Sequence, residues 1–292
     1  MAVRIVTDSS SDLPFSLQEE WGITILPLRV LFGEEEFVDG ELTAGQFYER
    51  LAQAKELPKT AQVTPAEFED VLRPCVEAGD EVLLLPLSRE LSGTFASARI
   101  AREQFPDAEI YVVDTLQVTF ALGLMVETAV RLRDEGLSAR EIAERLEELR
   151  GRIRLYAVID DLKYLRMGGR LSAAGAVMGS LLGIKPIVTL REGKVCSIDK
   201  ARGMKAGCQM LLDRTAEDGV DEAYPVYFGN SNVREAMEEL RQTAKAGLSV
   251  TGAAACDIGP IVGTHAGPGC VGLAFVATRR RTTENKPKNK SR

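Results

Sequence analysis

Five groups of side chains have types and spacing that could hold an anion or act on a carbonyl. The stretch from Ser88 to Thr94 sets Ser92, Gly93 and Thr94 between an apolar run at 82–85 and a helix that reads on to residue 101. A strand that feeds a helix through Ser, Gly and Thr leaves free backbone N–H groups and hydroxyls at the positive end of the helix, which suits a carboxylate or phosphate. Ser92 or Thr94 could equally do no more than cap that helix. His265 is the only histidine, and it stands among Gly263, Gly267 and Gly269 in what reads as a glycine-rich loop. Arg170 follows Gly168 and Gly169, and Thr60 and Gln62 fall just outside the helix start at Thr64, Pro65 and Glu67. At the amino end, Thr7, Asp8, Ser9, Ser10, Ser11 and Asp12 crowd the carboxyl end of a strand, where α/β sheets gather their ligands; the alternative reading makes Ser11 or Asp12 simply a helix cap.

This set is suited to an anion. It could hold a phosphorylated or otherwise polar metabolite, or Ser92 and His265 could act as nucleophile and base, oriented by an acid such as Asp114. Other chemistries are disfavoured. Gly267, Gly269 and Gly272 satisfy GxGxxG, but they precede an apolar strand instead of opening a helix, so a nicotinamide or flavin site is not expected. GxxxxGK[ST] and GxSxG are both absent, which argues against a self-contained P-loop kinase and an α/β-hydrolase.

The elements that must position these groups alternate. Strands at 3–6, 23–30, 81–85 and 110–113 are separated by helices at 43–55, from Thr64, from Thr94, and at about 119–135, the pattern of a mostly parallel sheet. Ser138 and Glu141 open a charged helix that reads as the hinge between two halves. Beyond it come a strand at 155–159, a short helix over 160–166, and a helix over 171–182 rich in Ala and Gly. A hairpin follows about Glu192, Gly193 and Lys194, then a helix to about 218, a strand at 223–228, a helix at 232–246 and strands at 249–256 and after Gly269. The expected fold class is α/β with two domains. Residues 1–150 form an N-terminal domain with a mostly parallel sheet, 151–280 a mixed-sheet domain, and 281–292 a basic, disordered tail, with the ligand between the domains.

At 292 residues, 45% hydrophobic and 27% charged, the chain has material for a substantial core. Its net charge is −7; the residues from Arg279 onward carry +6, so the remainder carries −13, which argues against a nucleic-acid partner. Five cysteines, widely spaced and without CxxC, suggest a reducing cytoplasm and no zinc site. No signal peptide or membrane span is read.

Seven segments in order carry a resemblance: TDSSSDLP at 7–14, TAQVTPAEF at 60–68, SRELSGTFASA at 88–98, VDT at 113–115, LKYLRMGGRL at 162–171, LLGIKPIV at 181–188 and GPIVGTHAGPG at 259–269. Together they resemble the DegV family of fatty-acid-binding proteins over residues 1–280. The resemblance implies a long-chain fatty acid held between two domains as the bound ligand, with no cofactor and no catalysis by the chain alone. It further implies a separate ATP-binding fatty acid kinase subunit that phosphorylates the presented carboxylate for phospholipid synthesis, with transient contact to a membrane or an acyltransferase. Carried over by position, Thr60, Ala61, Ser92, Gly93, Thr94, Thr115 and His265 would surround the carboxylate, and Arg170 would lie on the head group or on the face offered to the kinase. Ala61, Thr115 and Gly183 depart from the residues usual at those places.

Overall fold

A computed structural model describes residues 2–172 and 183–278. The small-residue helix expected over 171–182 and the basic tail therefore lie outside the described residues, apart from Leu171 and Ser172. Strand β1 (Val3–Asp8) ends in a single 3-10 turn at Ser9–Ser11 capped by Asp8, whose Oδ1 accepts the Ser10 N–H. Asp12 then turns the chain with φ 53°, so the helix expected at Pro14 starts later, as α1 (Leu17–Trp21). The strand expected over 23–30 is two strands, β2 (Ile23–Leu26) and β3 (Arg29–Phe32). Pro27 lies between them and cannot donate to a ladder.

From β3 the chain forms β4 (Glu35–Val38), α2 (Ala44–Gln53) and β5 (Lys59–Ala61), and β4, β3 and β5 make a small antiparallel sheet. Next come α3 (Pro65–Glu77), β6 (Glu81–Leu85), α4 (Thr94–Glu103), β7 (Ile110–Val112), α5 (Phe120–Asp134) and α6 (Ala139–Leu149). Strands β2, β1, β6 and β7 form a fully parallel sheet in that order. Thr43, Thr64 and Ser138 each close a capping box with the residue three further on. Helix α6, read from sequence as a hinge, is docked: Ile142, Leu146 and Leu149 are buried, and it packs on α5, β6 and β7.

The second half runs β8 (Ile153–Val158), α7 (Lys163–Met167), β9 (Ile184–Arg191), β10 (Lys194–Arg202), α8 (Met204–Asp218), β11 (Val226–Asn230), α9 (Arg234–Gly247), β12 (Ala253–Asp257), α10 (Pro260–Ala266) and β13 (Val271–Val276). Its strands form a mixed sheet in the order β10-β9-β8-β13-β11-β12, antiparallel except between β11 and β12. Helix α5 lies between the parallel and mixed sheets, contacting β1, β8, β11 and β13, and its residues from Phe120 to Val126 are all buried. One continuous apolar cluster joins Ile5 and Leu83, through α5, to Leu155, Tyr227 and Ala274.

The loop expected around His265 is instead helix α10. Pro260 occupies its first turn, where a missing N–H costs nothing, and Gly263 lets the helix press against α2. A Cβ on Gly263 would stand 2.6 Å from Tyr48 Oη and 2.8 Å from Phe47 Cε1. Tyr48 Oη in turn donates to Ile258 O at 2.9 Å. Gly263→Ala should therefore destabilise the protein by about 1–3 kcal/mol through overpacking, measured as a lower urea midpoint with an unchanged slope.

Candidate functional site

A cavity of about 150 Å³ runs between the two large sheets. That is roughly ten times the space a single water needs, so it can take a ligand of many atoms. Along β8, Leu155 and Ala157 face it, and Ile159 continues the same alternation. Val188 and Leu190 of β9, Val195 of β10, Phe120 of α5 and Ile261 and Val262 of α10 complete most of the apolar wall.

The polar groups that line it are each held by a hydrogen bond. Thr60 Oγ1, on β5, lies 3.0 Å from Nε2 of His265 in the last turn of α10. Arg170 Nε donates to Leu91 O at 3.1 Å and its Nη1 to Gly168 O at 2.6 Å, so the guanidinium ties the turn after α7 to the loop before α4. Ser92 Oγ lies 2.9 Å from Thr94 Oγ1 and accepts the Thr94 N–H at 3.2 Å. Two glycines make room. A Cβ on Gly93 would fall 2.0 Å from Gln62 Oε1, and one on Gly168 would fall 2.3 Å from His265 Nδ1.

The histidine's proton can be placed. Nδ1 is buried without a hydrogen-bond partner among the described residues, so a proton there would be a stranded donor. On Nε2 the proton donates to Thr60, which leaves the Thr60 hydroxyl hydrogen free for the cavity. Burial, and secondarily the charge of Arg170, lowers the His265 pKa from 6.5 to about 4, so the ring is neutral near pH 7.

A second polar cluster lies behind the wall. Burial raises the carboxyls of Asp8 and Asp39 to about 6 and that of Asp12 to about 8. Ser10 and Thr119 both line the cavity, yet their hydroxyls donate to Asp8 and Asp12, each at 2.5 Å. Asp12 also accepts the N–H of Gly259, the N-cap of α10, at 2.9 Å.

Thr60, Ser92, Gly93, Arg170 and His265, all singled out from sequence, line this cavity. Ala61, Thr94 and Thr115 do not. Thr115 is buried with its hydroxyl donated to Pro86 O at 2.8 Å, Thr94 is turned to Ser92, and Ala61 pairs with Arg29 at the end of β5. Gly183 serves a turn with φ 78° away from the lining. Sequence reasoning left Gln62 without a role; its Nε2 donates to Ser97 Oγ at 2.9 Å and its Oε1 abuts Gly93. The nucleophile–base pair does not form, because His265 Nε2 is engaged by Thr60 and Ser92 Oγ by Thr94. Asp114 instead pairs with Arg89 at 3.2 Å.

The profile of the DegV family, described as uncharacterised proteins, matches residues 2–278. The chain belongs to the DegV family. A DegV domain-containing protein from Caldanaerobacter subterraneus subsp. tengcongensis is 34% identical over 275 residues, covering 94% of this chain and 98% of the relative. Among solved structures, a fatty-acid-binding DegV protein from Thermus thermophilus superposes with a TM-score of 0.87 at 33% identity, covering 95% of this chain and all of the other. A stearic-acid-binding protein from Eubacterium ventriosum superposes with a TM-score of 0.85 at 28% identity, covering 95% and 98% of the two chains. The α/β architecture, with its parallel and mixed sheets, is thus that of DegV proteins. Among the described residues no helix is long and apolar enough to cross a membrane.

The depressed His265 pKa gives this DegV protein a signed pH dependence. The unfolded histidine takes its proton near 6.5 and the folded one only near 4, so between these values the unfolded state binds more protons and stability falls as pH drops. The buried aspartates act in the opposite sense, since their folded pKa values lie above the unfolded one. Comparison with His265→Gln isolates the imidazole. Between about pH 7 and about pH 4.5 the wild type should lose more unfolding free energy than the variant, by on the order of 2 kcal/mol in urea titrations.

Proposed function

We propose that the chain binds one long-chain fatty acid in this cavity, its tail along the apolar wall and its carboxylate at Thr60, Ser92, Arg170 and His265. The carrying observation is the separation of chemistry. Thr60 and His265 are bonded to each other, Ser92 to Thr94 and Arg170 to the backbone of Leu91 and Gly168, each keeping polar capacity at the lining, whereas two other polar wall residues, Ser10 and Thr119, turn their hydroxyls to buried carboxyls. Fatty-acid binding by the Thermus thermophilus and Eubacterium ventriosum proteins supports the same ligand class. In this reading residues 1–150 and 151–280 are two domains that supply opposite walls.

The tail sets affinity. About fifteen methylenes at roughly 0.8 kcal/mol each give on the order of 12 kcal/mol before ordering costs, against about 1.5–3 kcal/mol for each hydrogen bond to a carboxylate. The head-group residues set orientation. A neutral His265 that donates to Thr60 directs the threonine hydroxyl at one carboxylate oxygen and leaves the other able to attack phosphorus in line. The finer part of the proposal is that the chain does no chemistry alone. It presents the carboxylate to a separate ATP-dependent kinase, which forms an acyl phosphate for phospholipid synthesis.

Protein purified from bacteria and extracted with organic solvent should release one fatty acid per chain by mass spectrometry. Protein that releases none, and takes up neither added oleate nor palmitate, would contradict the proposal. With a fatty acid kinase subunit supplied, His265→Ala and Ser92→Ala should slow acyl-phosphate formation on the order of a hundredfold while the lipid stays bound. Equal loss of lipid and turnover would show that these residues hold the ligand instead of aiming it.

A further inference from the structure

Phe120, the first residue of α5, is fully buried and yet forms part of the cavity wall. Its ring lies over two glycines that face each other across neighbouring strands, Gly229 of β11 and Gly272 of β13. The three atoms nearest to a Cβ built on Gly229 all belong to this ring, with Cδ1 at 2.2 Å and Cε1 at 2.3 Å, and a Cβ on Gly272 would come within 3.0 Å of Phe120 Cζ. Glycine inside a strand weakens it and marks a place where something approaches closely. Here the missing side chains make a dip in the mixed sheet, and the ring is sunk into it. Ala157 of β8, the partner of Gly272, continues the row of small residues and itself lines the cavity.

The level of this dip along the cavity follows from β8. Past Ile159 the chain enters α7 and reaches Gly168, which touches His265, whereas Ala157 lies two residues back, roughly 7 Å further from the polar end. Phe120 therefore meets the ligand along its tail.

We propose that Phe120, seated in the Gly229/Gly272 dip, sets the length of acyl chain that the cavity accepts. The inference rests on the fatty-acid reading above. An alanine at 229 forces the ring off the sheet by at least about 1.2 Å to regain ordinary contact, and because Phe120 lines the cavity the wall there moves with it. A smaller side chain at 120 has the reverse effect.

Delipidated wild type, Gly229→Ala, Phe120→Leu and the double variant are each incubated with an equimolar mixture of myristate, palmitate and stearate, and the bound acids are quantified by mass spectrometry. Gly229→Ala should lower the stearate-to-myristate ratio on the order of tenfold, Phe120→Leu should raise it, and the double variant should return towards the wild type. A wild type that takes up none of the acids removes the functional reading and this inference with it. A wild type that loads while Gly229→Ala keeps the wild-type ratio overturns the inference alone. If Gly229→Ala does not fold, Phe120→Leu decides: a raised ratio supports the inference and an unchanged one overturns it.

Discussion

The architecture depends on a helix that is apolar on every side. From Phe120 to Val126 no residue of α5 reaches solvent, so the helix needs a surface on both faces, and the parallel and mixed sheets supply them. With about 10 Å between a helix axis and each sheet, the sheets are held apart by the thickness of the helix, and beyond its amino end that spacing persists without the helix to fill it. The cavity occupies this region, with Val118, Thr119 and Phe120 at its inner boundary. A helix with one polar face would have let the sheets part; a longer one would have filled the space.

Polar groups around the cavity follow two regimes set by their partners. At the lining Thr60 and His265 hold each other, Ser92 is held by Thr94 and Arg170 by the carbonyls of Leu91 and Gly168. Ser10 and Thr119 are satisfied from behind by Asp8 and Asp12, two carboxyls that burial pushes towards the neutral form. Near pH 7 Asp12, raised to about 8, is mostly neutral and accepts the Thr119 hydroxyl without full negative charge at the wall, whereas Asp8, raised to about 6, is mostly ionised. Asp12 also ties the N-cap of α10 to the start of α5, so the helix that carries His265 is positioned by the same buried group.

How much of this is legible in the sequence depends on the range of the interaction. The capping boxes at Thr43, Thr64 and Ser138 and the Glu192-Gly193 hairpin are local, and the residue types alone identify them. The parallel-then-mixed sheet order follows from the alternation of strands and helices. Helix α10 was hidden because Gly263 and Gly267 read as loop, and only the packing of Gly263 on Phe47 and Tyr48 explains a glycine there. Thr115 misleads for a related reason. A threonine past the end of a parallel strand looks available, but whether its hydroxyl is already spent on Pro86 is a matter of fold. Gln62 against Gly93 and Phe120 against Gly229 join residues far apart in the chain, and neither pair has a local signature.

Strand β13 lies at the heart of the mixed sheet, between β8 and β11, although it comes after every other described strand in the chain. During synthesis β8 emerges long before the neighbour that must cover its inner edge, and pairings this distant in sequence are slow to form. The parallel sheet, complete once β7 has been made, has no such wait. A nascent chain thus carries a finished amino-terminal sheet beside an unfinished partner, and the wall built on β8 closes only once β13 has been translated. Of the described parts, the wall against which the proposed ligand would lie is thus the last to take shape.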